Sequence, residues 1–184
     1  MPGKKYYLIA LLAIAVALSA INFKEGQSYD RLIWIGGGVE TVVTADGSLY
    51  GINASLNYTK NDRIYKFRSL LAAELVVAGP SPNDEIWELG LLYGLHLTKD
   101  EVSVSFLAGI GYTGGIYRGD RLYSDMFNVY YEELTYETFG LPLEIQLDIN
   151  KTRPFGLSLS AFGNINVEKS FAGLSLSLLL GRLP

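Results

Sequence analysis

The most regular feature of the sequence is a two-residue alternation of bulky apolar side chains with small or polar ones. In one segment, Tyr50 and Ile52 share one parity, whereas Gly51 and Asn53 share the other. Successive side chains of a β-strand point to opposite faces of the sheet, so a period of two indicates strands rather than helices. The pattern predicts eight strands, over residues 31–44, 48–59, 63–77, 85–98, 101–116, 133–149, 155–164 and 170–182.

The sizes of the alternating side chains predict which face of the sheet lies inside. One face carries Leu, Ile, Phe and Tyr, whereas the other is rich in glycine, as at Gly90, Gly94, Gly109 and Gly111. The interior of an eight-stranded barrel is only just wide enough for side chains. We therefore predict a closed barrel with the small, polar face inside and the bulky apolar face against lipid. The alternative is a soluble, lipocalin-like carrier whose apolar face lines the interior.

The connections between the strands predict how the barrel is oriented. Tight turns fit at Asp46-Gly47, Asn61-Asp62, Lys99-Asp100 and Lys151 to Arg153. Three of these four follow even-numbered strands, while the longest connection, 117–132, follows an odd one. Outer-membrane barrels have short periplasmic turns and longer extracellular loops, which places the connections after odd strands outside the cell.

The first twenty residues have the composition of a secretory signal. Lys4 and Lys5 precede an apolar run over 6–16, and small residues follow, among them Ala17 and Ala20. The run is shorter than the roughly 20 residues of a membrane-spanning helix. We predict a signal peptide over 1–20 and a single barrel domain over 21–184; an uncleaved anchor helix is the alternative.

Composition excludes several classes of function. Cysteine is absent, so disulfides and thiolate metal sites are excluded, and we expect neither metal nor cofactor. The formal net charge is −4, and loss of Lys4 and Lys5 with the leader makes it −6. An acidic chain without a basic run does not resemble a nucleic-acid-binding protein.

With this strand pattern and these turns, the chain resembles the small eight-stranded outer-membrane proteins of the OmpA/OmpX type, over nearly all of its length after residue 20. The resemblance lies in the pattern rather than in specific motifs. It implies an all-β, antiparallel, up-and-down transmembrane β-barrel in a bacterial outer membrane. It also implies contact with outer-membrane lipid and lipopolysaccharide, and recognition by the barrel assembly machinery.

Polar side chains on the interior face form the first candidate site. Charges in so confined a space are expected to pair, because an unpaired buried charge is costly. The resulting network either plugs the lumen with salt bridges or lines a narrow, gated ion pore. Its predicted members are Glu40, Lys66, Arg68, Glu74, Glu88, His96, Glu144, Gln146 and Asp148.

Two of these carboxylates are predicted to oppose each other. If the connection over 78–84 is symmetric, Glu74 and Glu88 face each other across strands 3 and 4, where like charges repel. Such a pair requires a cation, a raised pKa, or a basic neighbour such as Arg118 or Arg121.

The connection over 117–132 is the second candidate site, for a partner at the cell surface. Tyrosine and arginine are favoured in binding surfaces. An ordinary solvated loop, or strands that extend above the membrane, is the alternative. The candidate residues are Tyr117, Arg118, Arg121, Tyr123, Tyr130 and Tyr131.

These patterns favour a non-enzymatic barrel with a structural or surface-interaction role. A narrow ion pore and a lipid-modifying enzyme remain as alternatives. The enzyme is disfavoured because the single histidine, His96, is predicted inside the barrel near the periplasmic turn, without a placed nucleophile.

Overall fold

The computed structural model describes residues 31–75, 80–124, 129–152 and 154–183, which form one closed antiparallel barrel. Each strand pairs with the next in sequence, and the last pairs with the first. The strands are β1 (Leu32–Val43), β2 (Ser48–Lys60), β3 (Arg63–Ala73), β4 (Glu85–Lys99), β5 (Val102–Ser124), β6 (Val129–Thr152), β7 (Phe155–Asn166) and β8 (Phe171–Gly181). The predicted eight-stranded up-and-down barrel is therefore confirmed; the predicted signal peptide, 1–20, lies outside the described residues.

The apolar side chains of this barrel face outward. Ile52, Phe139 and Leu178 are 61%, 76% and 70% exposed, whereas Glu88 and Asp148 are fully buried. This is the reverse of a soluble barrel, and a continuous apolar surface of this kind is stable only against lipid. A closed barrel also pairs every strand edge, which the interior of a membrane requires. The exterior therefore faces lipid, and the soluble carrier is not supported.

Aromatic side chains ring the outside of the barrel near both ends. Toward the ends of β4 and β5, the ring centroids of Trp87 and Tyr112 are 5.4 Å apart, and Tyr112 and Phe139 are 5.2 Å apart. At the other end, the ring centroids of Tyr65 and Tyr93 are 5.0 Å apart. Such belts mark the two membrane–water interfaces. No helix within the described ranges has the length and apolar character to cross a membrane.

Three of the four predicted tight turns differ from the structure, and one is confirmed. Asn61 and Asp62 have φ angles of 49° and 59° and join the paired residues Lys60 and Arg63. A turn at Asp46-Gly47 is wrong, because Val43 pairs with Ser48 and the loop has four residues, 44–47. The hydroxyl of Thr44 accepts hydrogen bonds from the backbone N–H groups of Asp46 and Gly47, at 3.1 and 3.2 Å, and thereby closes this longer loop.

The other two tight turns lie slightly further along the chain than predicted. Lys99 pairs with Val102, so the β4–β5 turn is at residues 100–101, where Asp100 has the positive φ of 54°. Thr152 pairs with Phe155 after a register shift beyond Ile149. The β6–β7 connection is therefore shorter than the predicted Lys151 to Arg153.

The predicted loop over 117–132 is wrong as a loop, because β5 and β6 continue as a hairpin on either side of residues 125–128. The pairing runs through Tyr117 with Leu134 and Tyr123 with Tyr130, with bulges near Arg121. This segment, residues 117–124 and 129–136, is called the distal hairpin below. The connection between β3 and β4 reaches it, since Ser81 N–H donates to Val129 O at 2.9 Å.

Candidate functional site

The lumen of the barrel contains a layer of charged side chains at mid-height. Lys66 and Arg68 are two residues apart on β3 and therefore both point inward. The Nζ atom of Lys66 lies 2.6 Å from Glu144 Oε1 and 2.7 Å from Gln146 Oε1. The Nη1 atom of Arg68 lies 3.0 Å from the other carboxylate oxygen of Glu144. One carboxylate from β6 thus joins two cations from β3.

Glu88 completes this layer from β4. Its Oε1 accepts hydrogen bonds from Nη2 of Arg68 and, at 3.1 Å, from Nε of the same side chain. Its Oε2 accepts a hydrogen bond from the amide of Asn164, at 2.5 Å. Sequence analysis missed Asn164, although its parity with Gly156 on strand 7 placed it on the interior face. Glu88 is fully buried, so these bonds replace the water that the charge would otherwise need.

Two further predicted carboxylates lie inside the barrel and form no ion pair among the described residues. Both carboxylate oxygens of Asp148 accept hydrogen bonds, at 2.8 Å, from the amide of Gln146, and the side chain of Ser158 bonds to the same carboxylate. Glu40 is 5% exposed, and its Oε1 has no hydrogen-bond partner within the described structure. It lines a cavity of about 10 Å³ with Asn53, Arg68 and Ser177. A cavity of this size holds roughly one water molecule.

His96 lies inside the barrel among hydroxyl groups. Its Nδ1 is 2.8 Å from Ser105 Oγ, and its Nε2 is 3.2 Å from Thr98 Oγ1. The indole ring of Trp34 packs against it with centroids 5.7 Å apart. Both ring nitrogens contact buried or half-buried hydroxyls, and no hydrogen bond joins the imidazole to a carboxylate in the described structure, so the arrangement is that of a packed interior residue rather than a Ser-His-Asp triad.

Apolar side chains close the lumen on both sides of the charged layer. The lower plug lies toward the tight turns and consists of Leu32, Trp34, Ile64, Leu92, Leu107, Leu179 and Leu183. The upper plug lies toward the distal hairpin and consists of Val42, Leu49, Leu70, Ala72, Ile86, Phe162 and Phe171. The barrel is therefore filled by three layers.

Glu74 is not part of the lumen network, and its predicted opposition to Glu88 is wrong. Glu88 pairs with Leu70 in the ladder, while the backbone N–H of Glu74 donates to Asp84 O at 2.9 Å. β3 ends at Ala73, which pairs with Glu85, so the connection spans residues 74–84 rather than the predicted 78–84. The carboxylate of Glu74 lies at the extracellular rim, 2.8 Å from Nη1 of Arg118.

This contact belongs to a group of ion pairs that we call the rim cluster: Asp46, Glu74, Asp84, Arg118 and Lys169. Asp84 lies 3.6 Å from Nε of Arg118 and 3.2 Å from Nζ of Lys169, which also lies 3.1 Å from Asp46. Burial lowers the pKa of Arg118, but the hydrogen bond that Arg118 donates to Glu74 and the charges of Asp84 and Glu74 outweigh it and raise the pKa. Sequence analysis missed Asp84 and Lys169, because both lie in or beside connections where no alternation applies.

The six residues predicted to bind a partner lie in two places. Tyr117 and Arg118 are at the rim, where Lys169 lies 5.5 Å from the centroid of the Tyr117 ring. The other four, Arg121, Tyr123, Tyr130 and Tyr131, lie further out on the distal hairpin.

The outer part of the distal hairpin exposes aromatic and apolar surface. The rings of Tyr123 and Tyr130 stack with centroids 4.3 Å apart. Tyr123 is 59% exposed, and its neighbour Leu122 is 64% exposed. The backbone N–H of Tyr131 donates to Ser81 O at 2.8 Å, and Arg121 Nη2 donates to Ser124 Oγ at 2.7 Å. These bonds hold the hairpin in place while its side chains remain accessible.

Solved structures with the same arrangement of strands are bacterial surface proteins. Neisserial surface protein A aligns with a TM-score of 0.60 and 12% identity, over 84% of this chain and 99% of that one. Ail, the attachment invasion locus protein of Yersinia pestis, aligns with a TM-score of 0.57 and 16% identity, over 85% of this chain and all of that one. This chain has the fold of the small eight-stranded outer-membrane β-barrels. No family model matches it, and no curated protein does so either.

Ail has also been solved in complex with the heparin analogue sucrose octasulfate, in a structure that aligns with a TM-score of 0.56 and 17% identity. The alignment covers 85% of this chain and all of the Ail chain in that complex. Identities this low relate the folds alone.

In the present barrel, no three His, Asp or Glu side chains of the described ranges are placed to hold a metal ion. The lumen groups instead hold one another.

Proposed function

We propose that this chain is a non-enzymatic outer-membrane barrel that contacts a partner at the cell surface through the distal hairpin. The observation that carries the proposal is the exposure of Leu122 and Tyr123 on β5, one of the two strands that extend beyond the barrel. Large apolar side chains in water are costly unless they are covered in a complex. Tyrosine supplies contact area at little cost in conformational entropy, which suits it to a binding surface.

The charges around the hairpin favour a basic or neutral partner over an anionic one. On the extracellular side, acidic residues outnumber basic ones among the described residues. The acidic residues are Asp46, Glu74, Asp84, Glu85, Asp120, Glu132, Glu133, Glu137 and Glu168, and the basic ones are Arg118, Arg121 and Lys169. Arg118 and Lys169 are already paired in the rim cluster. A sulfated sugar of the kind bound in the Ail complex would meet net repulsion here.

The remaining partners follow from the location. The apolar exterior contacts outer-membrane lipid, and the extracellular girdle contacts lipopolysaccharide. A secretory signal over 1–20 directs export, and the barrel assembly machinery inserts the chain. Heat-modifiable migration of the protein from outer-membrane extracts, with unboiled and boiled samples differing in mobility, tests this location.

The hairpin is tested by attachment of whole cells. A bacterial host that lacks this protein expresses it at the surface, and attachment is measured on a panel of immobilised extracellular proteins with acidic to basic isoelectric points. We expect attachment to a basic or neutral member, reduced about thirtyfold in Leu122→Ser/Tyr123→Ser, since the two lost apolar contacts each weaken binding by about 1 kcal/mol. The matched control is Val167→Ser, because Val167 is 89% exposed in another extracellular connection.

Attachment equal to that of the empty host, or unchanged in Leu122→Ser/Tyr123→Ser, contradicts the proposal.

The enzymatic alternative is tested on the same cells by mass spectrometry of lipid A. Expression is expected to leave its acylation unchanged, and a change that disappears in His96→Ala would favour an enzyme.

A further inference from the structure

A groove of about 310 Å³ lies on the outer surface of the barrel, where β4, β5 and β6 leave the membrane. We call it the outer groove. It lies at the base of the distal hairpin, whose Thr135 and Tyr136 contribute to its lining. Its lining includes Glu85, Trp87, Ile116 and Glu137.

The strand register explains the shape of the outer groove. Trp87, Gly114 and Glu137 are direct neighbours across three strands, and all three face outward. A Cβ atom on Gly114 would lie 2.7 Å from Cζ2 of Trp87, so the indole ring lies over the glycine. The absence of a side chain at Gly114 therefore brings the indole face and the carboxylate of Glu137 side by side.

The neighbouring rows supply a second carboxylate and more aromatic surface. On the extracellular side, Glu85 and Thr135 flank Ile116; on the membrane side, Tyr112 pairs with Phe139. The hydroxyl of Tyr112 donates a hydrogen bond to Glu137 and so fixes its carboxylate. Trp87 meets Tyr112 edge-on, with centroids 5.4 Å apart.

The two carboxylates of the outer groove have no cationic partner in the described part of the chain. The seven ion pairs there involve other acids. Glu85 and Glu137 are both exposed. The groove thus combines two negative charges with the electron-rich face of an indole, and both attract a cation.

We propose that the outer groove binds the ammonium group of a lipid headgroup. An ammonium is the ligand that matches an aromatic face beside carboxylates, since it gains cation–π attraction and charge-assisted hydrogen bonds together. The height of the groove in the membrane indicates that a lipid supplies the ammonium. Trp87, Tyr112 and Phe139 form the extracellular girdle, which lies at the level of lipid headgroups. The acyl chains of the same lipid lie against the apolar exterior below.

The proposal is tested by native mass spectrometry of the folded barrel in detergent. The probes are dihexanoylphosphatidylethanolamine, which carries an ammonium, and dihexanoylphosphatidylglycerol, which has the same chains without one. We expect the amine lipid to bind about tenfold more tightly. We expect that preference to disappear in Glu85→Gln/Glu137→Gln and to persist in Glu132→Gln/Glu133→Gln, whose carboxylates lie outside the groove.

Heat-modifiable migration confirms that each variant is folded before binding is compared. Equal binding of the two lipids, or a preference that survives Glu85→Gln/Glu137→Gln, overturns the proposal. A third probe, ethanolamine alone, distinguishes a lipid from a free amine. If ethanolamine binds as tightly as the amine lipid, the groove is a site for soluble amines and the lipid assignment is wrong.

Discussion

Arg68 joins two buried carboxylates in the lumen, Glu88 and Glu144. Replacing it by methionine leaves Glu88 without its cation and Glu144 with Lys66 alone. We expect Arg68→Met to lower the free energy of unfolding by about 3–5 kcal/mol, the cost of breaking a buried pair on one side. Urea titration in lipid vesicles, followed by the gel-mobility difference of folded and unfolded protein, measures this.

The control for Arg68→Met removes an ion pair at the rim. Asp46 pairs with Lys169, but the Asp46 side chain is 60% exposed. Asp46→Asn is expected to change stability by no more than about 0.5 kcal/mol, because water screens such pairs. Equal effects of the two substitutions would show that the lumen pairs do not stabilise the barrel.

Glycines on the two faces of the barrel are expected to respond differently to alanine. A Cβ on Gly109, inside the barrel, would lie 1.9 Å from Leu91 O, whereas on Gly37, outside, the nearest atom is at 3.8 Å. We expect Gly109→Ala to cost about 1–3 kcal/mol through overpacking and Gly37→Ala to be tolerated. The same urea titration measures both, and the reverse order would contradict the assignment of the two faces.

The sequence was least informative about which residues pair with each other. Parity alone placed Lys66, Arg68 and Glu144 on one face, because a β-strand alternates whatever its register. Partners depend on register as well, and a shift in one loop moved Glu88 away from Glu74 and opposite Leu70. Asp84 and Lys169 could not be predicted, since loop conformation rather than periodicity brings them together.

The distal hairpin extends beyond the rest of the barrel. Its strands lie beyond the last residues that pair with β4 and β7, and its described contacts with other elements include the rim cluster, the bridge to Ser81 and the lining of the outer groove. We expect a chain in which Asn-Gly replaces residues 119–132 to keep its heat-modifiable migration, because Arg118 and Glu133 are paired and accept a two-residue turn. Loss of the folded band would show that the hairpin is part of the folding unit.

Turns illustrate why the elements were easier to predict than their ends. Asn61-Asp62 was identified correctly, since both residue types tolerate a positive φ. Asp46-Gly47 looked equally favourable, but the hydroxyl of Thr44 binds two backbone N–H groups and stabilises a four-residue loop instead. The strands around 117–132 lacked clear apolar alternation, because their side chains meet water on more than one side.

At the scale of the whole molecule, the three layers in the lumen predict a barrel that does not conduct ions. An ion would have to cross two apolar plugs and a layer of paired charges, and the cavity among those charges holds about one water molecule. We expect no single-channel steps after reconstitution in planar bilayers at neutral pH. Reproducible steps from purified, folded protein would revive the narrow pore.

The position of the buried ion pairs also bears on how the cylinder is made. All three lie among β3, β4 and β6, so none of them crosses the seam where β1 meets β8. That seam is held by its backbone ladder, by apolar packing and by hydrogen bonds such as that from Ser177 to Asn53. The members of these three pairs can therefore meet in a curled sheet that is still open. The placement of the pairs thus allows their charges to be neutralised before β1 and β8 join.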